Sequence, residues 1–499
     1  RMLEMLVIIS DLHLTDGTSG TTVDPGAFDM FADRLRDMAA RASWRADGHY
    51  RPIERIDLVL LGDVLDLVRS QQWLAGDVRP WSDTTSPQVI ESVNTITDEI
   101  LAKNAHSLAT LRSLAAESAV CVAPSDHSGN PVYNGEGQPV PVRTHYMVGN
   151  HDWFLHLRGP SYDLLRQKIS HHMGLANSHN EPFPHDPVES EELLDALRRH
   201  RVFARHGDIF DPINFTEDRD TSSLGDAIVV ELLSRFVVEV QNQLGEDLPA
   251  GVINALREID NIRPVLLVPV WIEGMLERLC PSPAIRKSVK RIWDGLADEF
   301  LNLPMVRDHN TWSPFDLVDG LERALKFSKR LSIGWSSQIG NWMNGLRGAT
   351  SDSYVEHALA EQDFRNRRAR HIVYGHTHGA ESMPLDASYA DGFVLNQMYF
   401  NAGTWRRVYK QTQWAPGERE FIAADNLSVL GFYQGDERSG RSFETWNGTL
   451  GASAAEFSVH RVDAGQNASP QSVSTPNVPV NSPHFAAAGA TRVGPVRRI

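Results

Sequence analysis

The stretch Met5-Leu6-Val7-Ile8-Ile9-Ser10-Asp11-Leu12-His13 decides how the rest of the chain is read. Five apolar residues in a row are too few for a helix with one wet face, and their β-branched character suits a strand buried on both sides. The run stops abruptly at Ser10, and a carboxylate and an imidazole follow two positions apart. Four more short apolar runs end in the same manner: Ile56 to Leu61, Tyr146 to Val148, Val202 to Ala204 and Ile372 to Tyr374. Their common form predicts buried strands that feed loops at one edge of a sheet. Helical patterns lie between them, such as Phe28 to Ala42 and a long Ser92 to Ala116, so the expected class is α/β with a layered core. Val120 to Arg143, rich in Gly, Pro and Asn, reads as a hairpin or ordered loop.

Each run delivers residues that bind metals. After the first come Asp11 and His13, which alternation on an extended chain would place on one side, within reach of one ion. The second leads to Gly62-Asp63-Val64-Leu65-Asp66, where the glycine permits a sharp turn and Asp63 is placed to bridge two ions. Asp66 reads as a group that orients another residue, or as an ordinary helix N-cap. The third gives Gly149-Asn150-His151-Asp152, the fourth His206-Gly207-Asp208 and the fifth Gly375-His376-Thr377-His378. Any single histidine among the 20 in this chain is more often structural than a ligand, and His171, His172, His179 and His185 are given no role. Five clusters in the same local context are not explained by core packing or a solvated face.

Between the fourth and fifth runs the pattern turns to amphipathic helices, including Ala227 to Leu244, Ile285 to Asn302 and Leu317 to Arg330. The expected organisation is a core in two parts, 1–212 and 370–460, with a helical insertion at 213–369 that leaves and rejoins beside the active edge. Such an insertion serves as a lid or as a surface for homo-oligomerisation. Gln397 to Phe400 and Leu427 to Tyr433 read as later strands that close the sheet. After Asp463 no acidic residue occurs, and 461–499 is expected to be a flexible tail.

Bulk properties narrow the function. A net charge of −16 over 499 residues argues against coating nucleic acid, which depends on Lys and Arg neutralising phosphates. Two cysteines, Cys121 and Cys280, form neither a disulfide framework nor a zinc ribbon, so a reducing, cytoplasmic setting is expected. No apolar run approaches the roughly 20 residues a spanning helix needs.

In order and context, the five clusters resemble the signature of the calcineurin-like metallophosphoesterase superfamily: Asp-x-His, Gly-Asp-x-x-Asp, Gly-Asn-His-Asp or Glu, a lone His, and Gly-His-x-His. The resemblance covers roughly residues 5–212 and 370–435. It implies a four-layer α/β/β/α sandwich, two β layers flanked by helices, with two divalent ions (Mn, Fe or Zn) at the strand edge. Carried over, Asp11, His13 and His378 would hold one ion, Asn150, His206 and His376 the other, and Asp63 both. His151 would be catalytic and oriented by Asp66, with Asn150 and His151 also facing the substrate.

Departures from particular branches bear on the substrate. Leu67-Val68 follows Asp66 where the protein Ser/Thr phosphatases carry Arg-Gly, and Asp152 stands where they carry Glu. The His-Gly-Asp context and the helical insertion look like the UDP-2,3-diacylglucosamine hydrolases, yet those carry Arg where this chain has His151. His151 agrees better with phosphodiesterase and nuclease branches. Arg365, Arg367, Arg368 and Arg370 read as a solvated helix end or phosphate anchors rather than a DNA track. The expectation is hydrolysis of a phosphodiester or pyrophosphate in a small phosphorylated molecule. A nuclease or phosphomonoesterase is the alternative enzyme, and a protein-binding scaffold the alternative of another class.

Overall fold

The structure, a computed structural model, describes residues 2–249, 251–263, 265–308, 321–322, 325, 351–390, 393–411 and 421–449. Strand β1 (Glu4–Ile9) pairs in parallel with β2 (Arg55–Leu61), and β2 with β5 (Val142–Met147). Helices α1 (Pro25–Ala42), α2 (Pro87–Lys103) and α3 (Ala105–Ala116) occur along these crossovers. Asp24 caps α1, its side chain accepting from the Gly26 N–H, with Pro25 at the first helical position. On its other side β1 pairs antiparallel with β11 (Phe421–Tyr433), which also carries β10 (Arg407–Gln411) and β12 (Phe443–Thr449). The second sheet has the order β6 (Val202–Ala204), β7 (His371–Tyr374), β9 (Phe393–Asn401), β8 (Glu381–Ala390). Its first three strands are parallel. Strands β3 (Cys121–Val122) and β4 (Gln138–Pro139) form the hairpin expected between Val120 and Arg143.

Side-chain alternation divides the core cleanly. Met5, Val7 and Ile9 of β1 and Ile56, Leu58 and Leu60 of β2 pack with Phe28 and Leu35 of α1, Ile96 of α2 and Leu111 of α3. The intervening Leu6, Ile8, Val59 and Leu61 pack with Val202, Ala204, Val373 and Phe400 of the other sheet. On that sheet's far side, Phe203, Ile372, Tyr374 and Tyr399 meet Tyr354 and Ala358. Strands covered on both faces favour apolar residues, which is why they read as apolar runs; Asp57, buried in β2, is met by Arg199 and His145. Burying each such side chain contributes roughly 1.5–3 kcal/mol.

Two helical expectations change. Ser92 to Ala116 is two helices, because Asn104 is buried and its amide Nδ2 donates to the carbonyls of Thr15 and Ile100 while its Oδ1 accepts from Thr22. That ties the helix junction to the loop after β1. Ala227 to Leu244 is interrupted by a π-helical segment, Ile228–Ser234, and runs on to Leu244. The other described residues between β6 and β7 are largely helical, with Val268–Leu279, Pro283–Leu301 and Ser351–Ala360 the longest segments after Leu244. They have an apolar cluster of their own around Phe236, Trp271, Trp293 and Phe300. Most of Leu317 to Arg330 and all of 461–499 lie outside the described residues. No helix among the described residues is long and apolar enough to cross a membrane.

Candidate metal centre

Parallel pairing aligns the carboxyl ends of β1, β2 and β5 (Ile9 beside Leu60, Leu61 beside Met147), and likewise those of β6 and β7 (Ala204 beside Val373). In open α/β sheets that edge is where ligands bind. The loops leaving β1, β2, β6 and β7 bring expected residues into two neighbouring groups, Asp11, His13 and His378, and Asp63, His206 and His376. Within each group one donor atom per residue lies within 4.8 Å of the others. Asp63 Oδ2 is 3.2 Å from His206 Nε2 and 3.6 Å from His13 Nε2, so it stands between the two. Asn150 is buried, and its Nδ2 donates to Asn214 Oδ1 at 3.3 Å.

The expected alternation on an extended chain does not operate here. Asp11, His13, Asp63, His376 and His378 all have positive φ, between 44° and 67°. Left-handed backbone in a non-glycine residue costs on the order of 1–3 kcal/mol. The loops therefore curl at the strand ends, and each donor is aimed by that curl. Adjacent glycines make the curl possible: Gly62 has φ +85°, and a Cβ on Gly149 would stand 2.7 Å from His206 Nε2. A Cβ on Gly375 would likewise come within 2.7 Å of Asp11 Oδ2.

Hydrogen bonds outside the centre fix which imidazole nitrogen faces inward. His13 Nδ1 is 3.1 Å from Asp66 Oδ2, His206 Nδ1 donates to the Leu61 carbonyl at 2.8 Å, and His376 Nε2 is 3.0 Å from Asp211 Oδ2. In the neutral rings the remaining nitrogens carry lone pairs, available to an ion. His206 Nε2 and His376 Nδ1 are buried without a hydrogen-bond partner, as are Asp11 Oδ1 and Asn150 Oδ1. His13 Nε2 faces His378 Nε2 at 3.0 Å. Inward lone pairs in such number are costly unless cations lie among them. The donor set thus fits divalent ions with mixed oxygen and nitrogen ligands, and it suits Mn, Fe or Zn alike.

Charge follows the same pattern. Burial alone would raise the carboxyls of Asp11, Asp63 and Asp66, but the surrounding histidines hold all three below the usual carboxylate range. Burial disfavours the His151 cation, yet Asp66 and Asp63 push His151 up to about 10. Burial and the Arg263 guanidinium lower His378 to about 3.

His151 Nδ1 lies 2.7 Å from Asp66 Oδ1, and its backbone N–H donates to Asp63 Oδ1 at 2.8 Å. Asp66 Oδ1 also accepts from the Arg69 N–H at 3.1 Å, so a backbone-capping bond coexists with the orienting one.

Several participants were given no role from the sequence, although Asp152 and Asp208 stand inside the quoted clusters. Asp152 accepts from the N–H groups of Val64 and Gly149 and from the Tyr146 hydroxyl, joining the second and third loops. Burial and the Asp63 charge raise its carboxyl to about 6. Asp208 pairs with Arg219, whose Nη1 also donates to the Gly149 carbonyl at 3.1 Å. Arg263, from the helical stretch, brings Nη2 to 3.0 Å from His378 Nδ1. That stretch is tied down by Asp260, 3.0 Å from Arg69 Nη1 and 3.4 Å from Arg406 Nη1. Arg219, Asp260 and Arg263 lie in stretches whose composition resembles any polar surface, so only their placement marks them. Arg365, Arg367 and Arg368, in contrast, are exposed beside the short helix Gln362–Arg365. Compared with models of known families and with curated proteins, the chain matches none.

Proposed function

We propose that this chain is a dinuclear metal-dependent phosphoesterase of the calcineurin-like superfamily that hydrolyses a phosphodiester or pyrophosphate bond in a small molecule. The observation that carries the reading is the convergence of Asp11, His13, Asp63, Asn150, His206, His376 and His378 from five strand ends, with inward atoms left buried and unpaired. The apolar layer shared by the two sheets, and the helices against both outer faces, support a four-layer α/β/β/α sandwich. Asp11, His13 and His378 would hold one ion, Asn150, His206 and His376 the other, and Asp63 both.

Bound there, two divalent ions would supply activation of a water and neutralisation of phosphoryl charge. The chain's own groups do the rest. His151, tied through Nδ1 to Asp66, has Nε2 free to protonate or hydrogen-bond a departing oxygen. Asp66 sets that orientation and at the same time fixes the tautomer of His13. Asn150 and His151 sit together on the third loop, where both can meet a substrate.

Arg263 and Asn214 come from the helical stretch and touch His378 and Asn150, which favours the lid reading of that stretch over a purely oligomeric one. A covered site and a net charge of −16 favour a small substrate over a nucleic acid duplex. The deciding experiment compares an activated phosphodiester with the matching monoester, with added manganese and with chelator. Chelator-sensitive cleavage that favours the diester is expected; cleavage indifferent to chelator would overturn the reading.

A further inference from the structure

A second set of donors lies apart from the centre. His156 ends the turn Trp153–His156, Glu189 ends the turn Pro187–Glu189, and His185 lies just before the latter. One donor atom from each falls within 4.8 Å of the other two. His185 Nδ1 is 3.0 Å from Glu189 Oε1 and His156 Nε2 is 3.5 Å from Glu189 Oε2. Tetrahedral ligands at zinc-type bond lengths stand roughly 3.3 Å apart.

The fourth member, Asp220, accounts for the arrangement. Its Oδ1 is 2.6 Å from His156 Nδ1, which orients the imidazole with Nε2 toward Glu189. Without an ion a protonated His156 bridges the two carboxylates, and a bound ion would take the place of its Nε2 proton. His185 Nδ1 is buried yet has no aligned hydrogen-bond partner, although Glu189 is near. The two imidazole rings meet edge to face with centroids 5.0 Å apart. Carboxylate-oriented histidine, second histidine and carboxylate form a set typical of a single zinc-like ion. At 14%, 26% and 32% side-chain exposure, His156, His185 and Glu189 are open enough for an ion to enter.

We infer that His156, His185 and Glu189, with Asp220 orienting His156, bind one divalent transition-metal ion, zinc fitting best, separate from the dinuclear centre. Asp220 belongs to the segment that also carries Asn214 and Arg219, which bond to Asn150 and to the Gly149 carbonyl. The ion would therefore latch the turn ending at His156 to the turn ending at Glu189, and Asp220 links that pair to its own segment.

The test uses the full chain, stripped of metal and titrated with zinc alone. The double variant His185→Ala/Glu189→Gln is expected to bind one fewer zinc per chain than the parent; equal stoichiometry overturns the inference. Should the variant misfold, the parent decides. Carbethoxylation of His156 and His185, mapped by mass spectrometry, is expected to slow about tenfold at zinc near ten times its Kd. Unchanged modification rates at saturating zinc overturn it equally.

Discussion

The donors at the sheet edge are gathered from Asp11 to His378, whereas His156, His185, Glu189 and Asp220 come from one stretch of chain. At the edge, five donor residues hold left-handed backbone, and Asp11, His13, Asp63 and His206 are all but fully buried. The peripheral donors are partly exposed, and none of them has positive φ. The difference teaches what a protein invests in each kind of site. Backbone strain and buried, unpaired lone pairs are sustained where geometry must be fixed before a reactant arrives. A latch needs only donors in reach of one another.

Removing the shared carboxylate should break the contrast most sharply. Asp63→Ala is expected to reduce chelator-sensitive hydrolysis to background and to lower metal content at both halves of the centre, as read by elemental analysis of the purified protein. Next comes His151→Ala, expected to lower kcat by about 10²–10⁴-fold while the metals stay bound. Loss of both metals in that variant would contradict its role as a group held beside the ions. Asp66→Asn weakens two imidazoles at once, since Asp66 touches His13 and His151. A fall of roughly 10–100-fold in metal affinity or turnover is expected, measured by competition with a fluorescent chelator and by steady-state kinetics. The smallest effect belongs to the periphery. His185→Ala should change kcat by less than about tenfold, so a collapse of activity in that variant would erase the distinction between centre and latch.

Legibility in the sequence divides along physical lines. Strands β1, β2, β5, β6 and β7 could be read because both faces are buried and each is followed by residues that cannot belong to a core. Strands β8, β10 and β12 escaped, since antiparallel partners with a wet face carry a weaker apolar signal. The helix break at Asn104 depended on Thr15 and Thr22, far away in the chain. The structure brings the residues singled out by type and context together, but two-apart residues converge through a backbone curl that leaves no trace in composition, not through alternation. His185 was given no role because its partners, His156 and Glu189, are recognisable as such only once the turns are folded together.

Each half of the centre draws on both sheets. Asp11, His13 and Asp63 leave the first sheet, and His206, His376 and His378 the second. Strand β1, whose loop carries the earliest donors, also waits for β11 to complete its own pairing. During synthesis Asp11, His13 and Asp63 therefore emerge long before His376 and His378, which complete their groups. A ribosome halted ahead of His376 leaves both groups incomplete, so the proposed centre would take up its ions only in the last stage of this protein's making.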